Sequence, residues 1–262
     1  MMNNLNRGRL ASPLLFLALC AQASALEPSK VQVVPSRVEM GTFYGGAKVH
    51  VAGVASAGNK VIVVVRGPST AEVFNKISHV GPIWVNTGKV TVSGVPSLQL
   101  IFTSQPLQTC LNAAALDRYQ LDLDSLKKRM QIESKAPDKD RIAEDFLAFK
   151  ARRATYRITS GGVQMGASNQ GELAYRLDFE MPRSAKPGQY RVSVLECRNG
   201  DVARQSEVEM DLVEVGFPAL IARLAKEQAP LYGILAIIIA MLAGFGIDFI
   251  VSRIFKRRAG AH

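Results

Sequence analysis

Lys60-Val61-Ile62-Val63-Val64-Val65-Arg66 is the stretch that decides the fold. Five apolar residues in a row, ended by Gly67-Pro68, are typical of a strand that is buried on both of its faces. Such a strand must pair with other strands, and two candidate strands precede it in the sequence. Residues 47–54 alternate after a Gly45-Gly46 turn, and residues 31–40 form a candidate strand that Pro35 interrupts, which predicts an edge position.

The second half of the chain has clearer strand patterns. Apolar and charged residues alternate along residues 172–180 and again along residues 207–212, as expected for strands with one buried face. Pro187-Gly188 marks a turn, and Asn199-Gly200 is a strong hairpin signal. Short strands at this spacing predict a mainly β fold, an immunoglobulin-like β-sandwich with an inserted helical hairpin, plus one C-terminal transmembrane helix.

The helical hairpin is predicted over residues 112–154, inside a domain of residues 26–216. Leu116, Tyr119, Leu123, Leu126 and Met130 recur at helical spacing, and a second helix opens at Pro137-Asp138. The apolar stripe of the hairpin either packs on the sandwich or docks a partner. The basic run 127–129 is a solvated face or a contact with anionic lipid. Residues 71–77 are expected to form a short helical turn.

Residues 231–251 are apolar except for Asp248. About 21 residues at about 1.5 Å each match the roughly 30 Å of a bilayer core, which predicts a transmembrane helix. A basic tail, residues 252–262, follows, and the positive-inside rule makes it cytoplasmic. The residues that carry this topology are Arg253, Lys256, Arg257 and Arg258. Residues 217–230, just before the span, are expected to form an amphipathic juxtamembrane helix.

Four residues of the span are spaced by four and lie on one ridge: Ala236, Ala240, Gly244 and Asp248. Small residues at this spacing let another helix approach closely, and an ionisable residue in a span usually faces protein or water. The ridge is therefore a possible transmembrane interface. Alternatively, Asp248 snorkels to the nearby cytoplasmic interface and the small residues are coincidental.

Residues 1–25 read as a signal peptide. Arg7 and Arg9 precede the short apolar stretch 14–19, and Ala23-Ser24-Ala25 is a small-x-small cleavage signal. A lipoprotein site at Cys20 is the alternative, although Leu19 before it is not small. Cleavage leaves two cysteines, Cys110 and Cys197, and an even count in an exported domain suggests a disulfide between them. Two buried free thiols are the other reading.

The composition and motifs point away from enzymatic chemistry. The net charge of +10 includes six basic residues of the two ends, so the central excess is ordinary and we do not expect nucleic-acid binding. The only histidines are His50, His79 and His262, with no spacing typical of a metal site. No nucleophile elbow, P-loop or dinucleotide motif occurs. We expect no catalytic residue, no metal site and no cofactor.

Several of these stretches together resemble a known family. They are Phe43-x-Gly45, the run 61–65 with Arg66-Gly67-Pro68, Lys76, Gly81-x-Ile83-Trp84-Val85-Asn86 and Pro96-Ser97. The set is similar to a family of transmembrane proteins described mainly from alphaproteobacteria, over nearly the whole mature chain. The resemblance implies a bacterial inner-membrane location and no known activity. Trp84, the only tryptophan, is expected to be a core residue rather than a binding residue.

Two functions remain compatible with this sequence. In the first, the protein is an accessory or scaffold subunit of a membrane complex such as a transporter, and its partners are the lipid bilayer and an integral-membrane or periplasmic protein. In the second, it is a periplasmic module that binds a small ligand or envelope material. Either way we expect a single-pass protein with a periplasmic domain and a cytoplasmic C-terminus.

Overall fold

The structure is a computed structural model that describes residues 31–134, 138–169 and 171–256. The predicted signal peptide and Arg257 and Arg258 of the tail lie outside these residues. The strands are β1 (Gln32–Val34), β2 (Arg37–Met40), β3 (Ala47–Ser56), β4 (Lys60–Arg66), β5 (Glu72–Val80), β6 (Ile83–Ser93), β7 (Gln99–Thr103), β8 (Gln131–Ser134), β9 (Tyr156–Ser160), β10 (Gln164–Asn169), β11 (Glu172–Met181), β12 (Gly188–Arg198) and β13 (Asp201–Glu214). The helices are α1 (Leu107–Cys110), α2 (Ala113–Tyr119), α3 (Leu123–Arg129), α4 (Lys139–Arg152), α5 (Phe217–Glu227) and α6 (Ala229–Lys256).

Two sheets face each other and form the predicted sandwich. One has the order β1-β3-β11-β10, and the other has the order β2-β13-β12-β4-β7-β9. The chain alternates between the sheets in the way that immunoglobulin-like sandwiches do, which confirms the predicted fold. β1 and β2, on either side of Pro35, are both edge strands, as the sequence indicated.

β4 is buried on both faces, as its sequence predicts. Val61, Val63 and Val65 point into the core between the sheets. Ile62 and Val64 point the other way, into a second apolar cluster formed with α1 and α2. The alternation that sends neighbouring side chains to opposite faces thus requires two apolar layers, one on each side of the sheet.

The predicted helical hairpin is only partly correct. Its first helix is broken at Gln120, which adopts a left-handed backbone (φ 55°) and separates α2 from α3. Asn112 and Asp122 cap the two short helices by accepting hydrogen bonds from Ala115 N and Ser125 N. The segment after α3 forms strand β8 instead of continuing the helix. The second helix, α4, is present as expected.

A third sheet, of order β5-β6-β8, lies beside the sandwich and was not predicted. Residues 71–77 were expected to be helical, but Glu72–Val80 form strand β5, which pairs along β6. α4 covers this sheet through a third apolar cluster that includes Val90, Val92 and Phe146. The insert is therefore a small α/β layer rather than a helical hairpin.

The C-terminal segment has the predicted two-part form. α5 begins with Pro218 in its first turn, and α6 follows after Gln228. Residues Ala229–Ser252 of α6 have a mean hydropathy of 2.6, and none of the span is buried against the rest of the chain. Within the residues that the structure describes, α6 is the one helix long and apolar enough to cross a membrane.

Candidate functional site

A cleft of about 610 Å³ lies between α4 and the third sheet. Its floor is aromatic: Phe74 of β5 packs edge-to-face against Phe146 and Phe149 of α4, with ring centroids 5.8 and 5.5 Å apart. Such T-shaped pairs fix ring positions as well as burying area. The cleft is therefore a preformed, largely apolar depression.

Charged side chains surround the opening of this cleft. Arg141 and Asp145 line it from α4, Asp138 lines it from the position just before α4, and Lys76 lines it from β5. Asp138 also caps α4, because its carboxylate accepts a hydrogen bond from Arg141 N at 3.2 Å. An apolar floor with a mixed-charge rim is typical of sites that bind an amphipathic group or a partner side chain.

Lys150 joins this layer to the sandwich. Its ammonium donates to Glu72 Oε1 at 2.7 Å and to the carbonyl oxygen of Ser97 at 2.9 Å, and it lies 5.2 Å from the Phe146 ring centroid. Burial lowers the pKa of Lys150, and the Glu72 carboxylate acts in the opposite direction. Lys186, from the β11–β12 loop, also contacts Glu72 at 3.0 Å. The cleft wall is thus held to two parts of the sandwich.

The β5–β6 hairpin next to the cleft exposes large apolar side chains. Val73, Ile77 and Ile83 are each more than half exposed, and Trp84 is 67% exposed. The expectation that Trp84 is a core residue is therefore wrong: it lies near the Gly81-Pro82 turn, where the hairpin extends beyond the cover of α4. β5 is also an edge strand, so its backbone is available for pairing with another strand.

The ridge residues of α6 are exposed along the span. Ala236, Ala240, Gly244 and Asp248 follow one another at one-turn spacing in a continuous helix. No contact with the remainder of the described chain covers them. Arg253 and Lys256 belong to the last turns of α6, and the structure does not bring the ridge near the cleft or the hairpin.

Cys110 and Cys197 are both buried in the cluster on the outer face of β4, yet each is a free thiol. The structure therefore does not contain the predicted disulfide. The Cys110 thiol donates to the carbonyl oxygen of Gln105, and the Cys197 thiol to that of Leu195. Burial raises the pKa of Cys110, and it raises the pKa of Cys197 to about 12. Since the thiolate is the reactive form, both groups are held in an unreactive state.

Other singled-out groups have structural partners. His50 hydrogen-bonds Asp178 on the exposed face of β3 and β11, and this bond is the main reason the pKa of Asp178 is lowered. In the basic run 127–129, Lys127 lies 3.1 Å from Glu144, and Lys128 lies 2.7 Å from Asp117. Among the described residues, no group of three or more His, Cys, Asp or Glu could hold a metal ion.

Comparison with models of known protein families gives a match for this chain. Residues 30–253 match the family described as "Putative transmembrane protein (Alph_Pro_TM)". The chain belongs to this family. The match covers the sandwich, the third sheet, α5 and nearly all of α6, so the resemblance seen in the sequence is confirmed. A search of the curated proteins finds no match.

Membership in the Alph_Pro_TM family agrees with the single apolar helix that follows the β-rich domain. Two of the motifs that carried the resemblance have clear places in the fold. The run 61–65 forms the sheet centre, and the segment from Gly81 to Asn86 forms the tip and first part of β6. The exposed hairpin was missed by sequence reasoning, although the Gly81-Pro82 pair between two apolar stretches was a usable turn signal.

Proposed function

We propose that this protein is a non-enzymatic, membrane-anchored accessory or scaffold subunit of a membrane complex such as a transporter. The observation that carries the proposal is the β5–β6 hairpin, which exposes Val73, Ile77, Ile83 and Trp84 beside a preformed cleft. Trp84 pairs with position 79 of β5, so Val73, Ile77 and Trp84 share one face of the hairpin, and Ile83 lies on the other face. Exposed large apolar side chains grouped on one face mark interaction sites on folded proteins. Tryptophan is one of the residues enriched at the energetic centre of protein interfaces.

The partner that we propose is a protein of the same membrane or of the adjoining compartment. The anchor keeps the domain close to the membrane, which raises the effective concentration of any partner embedded there. β5 can add a partner strand to the third sheet, and the aromatic cleft can accept a side chain from that strand. The ridge on α6 offers a second contact within the bilayer.

The proposed location is the bacterial inner membrane, with the domain in the periplasm and the C-terminus in the cytoplasm. The apolar stretch after Arg7 and Arg9, and the basic residues at the end of α6 and after it, support this orientation. Protease added to intact spheroplasts is expected to digest the domain and spare a tag after His262. A protected domain would contradict this orientation.

Site-specific photocrosslinking in the full-length chain tests the proposed interface. A crosslinker in place of Trp84 is expected to trap one protein partner in stoichiometric yield, and the change Ile77→Ser, on the same face of the hairpin, is expected to abolish the adduct. The matched control is Ile158, which is 44% exposed on β9 of the sandwich. A crosslinker at Ile158 should trap nothing, and Ile158→Ser should leave the adduct at 84 unchanged. A chain that stays monomeric and uncrosslinked would contradict the proposal.

The cleft itself favours a second candidate, a module that binds a small amphipathic ligand or envelope material. Its volume and its aromatic floor are those of small-molecule sites. Native mass spectrometry of protein purified from its own membranes would show a bound small molecule, which Phe149→Trp should displace by filling the cleft. If no small molecule is found on the protein, the ligand-binding function is contradicted and only the protein-partner function remains.

A further inference from the structure

The chain leaves the sandwich at one end, which we call the anchor end. β13 finishes at Glu214, opposite Met40 in the parallel pair with β2. Val215 N then donates to the carbonyl oxygen of Met40 at 3.0 Å, and α5 begins two residues later. The anchor end is therefore the part of the sandwich closest along the chain to the membrane-spanning helix.

Strand registers place three loops at the anchor end. Ala47 pairs with Met181, so the loop 41–46 before β3 and the loop 182–187 after β11 lie together. The second loop leads directly into Gly188, which pairs with Leu212 near the end of β13. At the other edge of this sheet, Gln99 of β7 pairs with Tyr156 of β9, so the segment 153–155 before β9 also lies at the anchor end.

A groove of about 480 Å³ at the anchor end is lined by three exposed arginines, Arg153, Arg157 and Arg183. Within the residues that the structure describes, no ion pair joins any of the three to a carboxylate. Glu180 also lines the groove, and Lys48 stands opposite it in the register of β3 and β11. The groove therefore keeps a net positive charge.

Two of the arginines lie over aromatic rings. The guanidinium of Arg153 lies 4.9 Å from the centroid of Phe149, and that of Arg157 lies 5.9 Å from the centroid of Phe102. A ring face within about 6 Å attracts a guanidinium, and the guanidinium group can form paired hydrogen bonds with phosphate oxygens. The groove is thus arranged for a phosphate-type anion.

An aromatic side chain projects from the same end. Phe43, in the loop 41–46, is 98% exposed. The loop is pressed against β11 at Gly46 (φ +123°), where an added Cβ would lie 2.9 Å from the carbonyl oxygen of Met181. Because the loop is fixed there, Phe43 has a defined place beside the groove, to which Gly45 also contributes.

We propose that the anchor end is a lipid-contacting surface, in which Arg153, Arg157 and Arg183 bind the phosphates of anionic phospholipid headgroups and Phe43 enters the membrane interface. α5 has 11 residues and would rise only about 16 Å, so the groove stays near the bilayer. Positive charge near an anionic leaflet and an aromatic residue at headgroup depth are both favourable. This surface is distinct from the β5–β6 hairpin of the proposed function, and neither depends on the other.

The test uses the full-length chain in lipid nanodiscs, with an environment-sensitive fluorophore on Thr42→Cys. Thr42 is exposed next to Phe43, whereas Cys110 and Cys197 are buried and label slowly. Cys20 is changed to serine so that it takes up no label. In nanodiscs that contain phosphatidylglycerol, the label emission is expected to shift to shorter wavelength relative to nanodiscs of phosphatidylcholine alone. High salt should remove the shift, because the attraction is screened.

Two triple variants decide which charges matter. R153Q/R157Q/R183Q is expected to abolish the shift, and Phe43→Ser is expected to reduce it. The matched control R118Q/R198Q/R204Q removes three arginines near the β12–β13 turn at the opposite end and should keep the emission shift.

An identical emission in both lipid compositions would overturn the proposal, as would an unchanged shift in R153Q/R157Q/R183Q. A shift produced by inorganic phosphate in phosphatidylcholine nanodiscs would also overturn it, since the groove would then be a site for a soluble anion. Should R153Q/R157Q/R183Q fail to fold, the lipid comparison in the parent chain decides alone.

Discussion

The hydroxyl of Tyr190 donates a hydrogen bond to the carbonyl oxygen of Lys186, 2.7 Å away across the turn that leads into β12. Tyr190 is fully buried in the sandwich core. In immunoglobulin-like domains, a tyrosine at this place ties the connection between two strands of opposite sheets to the backbone. Here the same turn carries Lys186, which contacts Glu72 of the third sheet.

Tyr190→Phe is expected to destabilise the domain by about 1–2 kcal/mol, because it leaves the Lys186 carbonyl oxygen without this donor. Urea unfolding of the full-length chain in detergent, followed by circular dichroism, measures the change. Tyr232→Phe removes a hydroxyl from the α6 helix and serves as the control with no expected effect on the sandwich. Equal midpoints for Tyr190→Phe and the parent chain would contradict the role of this bond.

Glu72→Gln is expected to cost roughly 3 kcal/mol of folding free energy, since it leaves the buried ammonium of Lys150 without its carboxylate. The double change Glu72→Leu with Lys150→Met removes both charges and should come closer to the parent stability. The same unfolding measurement compares the three chains. If the single variant were as stable as the parent, the Lys150–Glu72 pair would not hold the third sheet to the sandwich.

The sequence predicts a disulfide between Cys110 and Cys197, whereas the structure has two free thiols, and their reactivity distinguishes the two states. Both are expected to resist alkylation at pH 8 in the folded chain, because burial raises the pKa of Cys197 to about 12 and keeps the reactive thiolate scarce. The rate should rise as the pH approaches that value. After denaturation without reductant, mass spectrometry should find two alkyl groups on the chain once the signal peptide is removed. Uptake of none would show that the disulfide expected from the sequence exists.

The ridge on α6 is tested by paired substitutions in the span. Ala240→Leu with Gly244→Leu is expected to weaken assembly with the partner trapped at Trp84, because larger side chains prevent close helix approach. Gly246→Leu, on another side of the helix, is the control and should have little effect. Co-purification yield from mild detergent measures the difference. Equal yields in all three chains would mean that the ridge is not an interface.

The β-sandwich and the anchor were predictable because their signals are local. Val61 to Val65 alternate between two buried layers, and the apolar run of α6 is long enough to cross a membrane. The break at Gln120 was not predictable in the same way. The apolar spacing continues across it, and the left-handed backbone is stabilised by contacts with Arg66 and Gln99, which donate to the carbonyl oxygens of Tyr119 and Gln120.

The interaction surface was the least predictable part. Trp84 belongs to a residue type that is usually buried, so composition alone assigned it to the core. Its exposure follows from the third sheet, which depends on the pairing of β6 with β8 about forty residues later along the chain. Likewise, Arg183 is distant in sequence from Arg153 and Arg157, and it meets them only because the registers of two sheets bring these segments to one end.

The central claim is that α6 anchors this β-sandwich in a membrane, and alkaline carbonate extraction of membranes containing the full-length chain tests it most directly. We predict that the chain stays in the membrane pellet, and that Ile238→Lys with Ile239→Lys, which places two charges at the middle of the span, releases it to the supernatant. Release of the unsubstituted chain by carbonate would contradict the account.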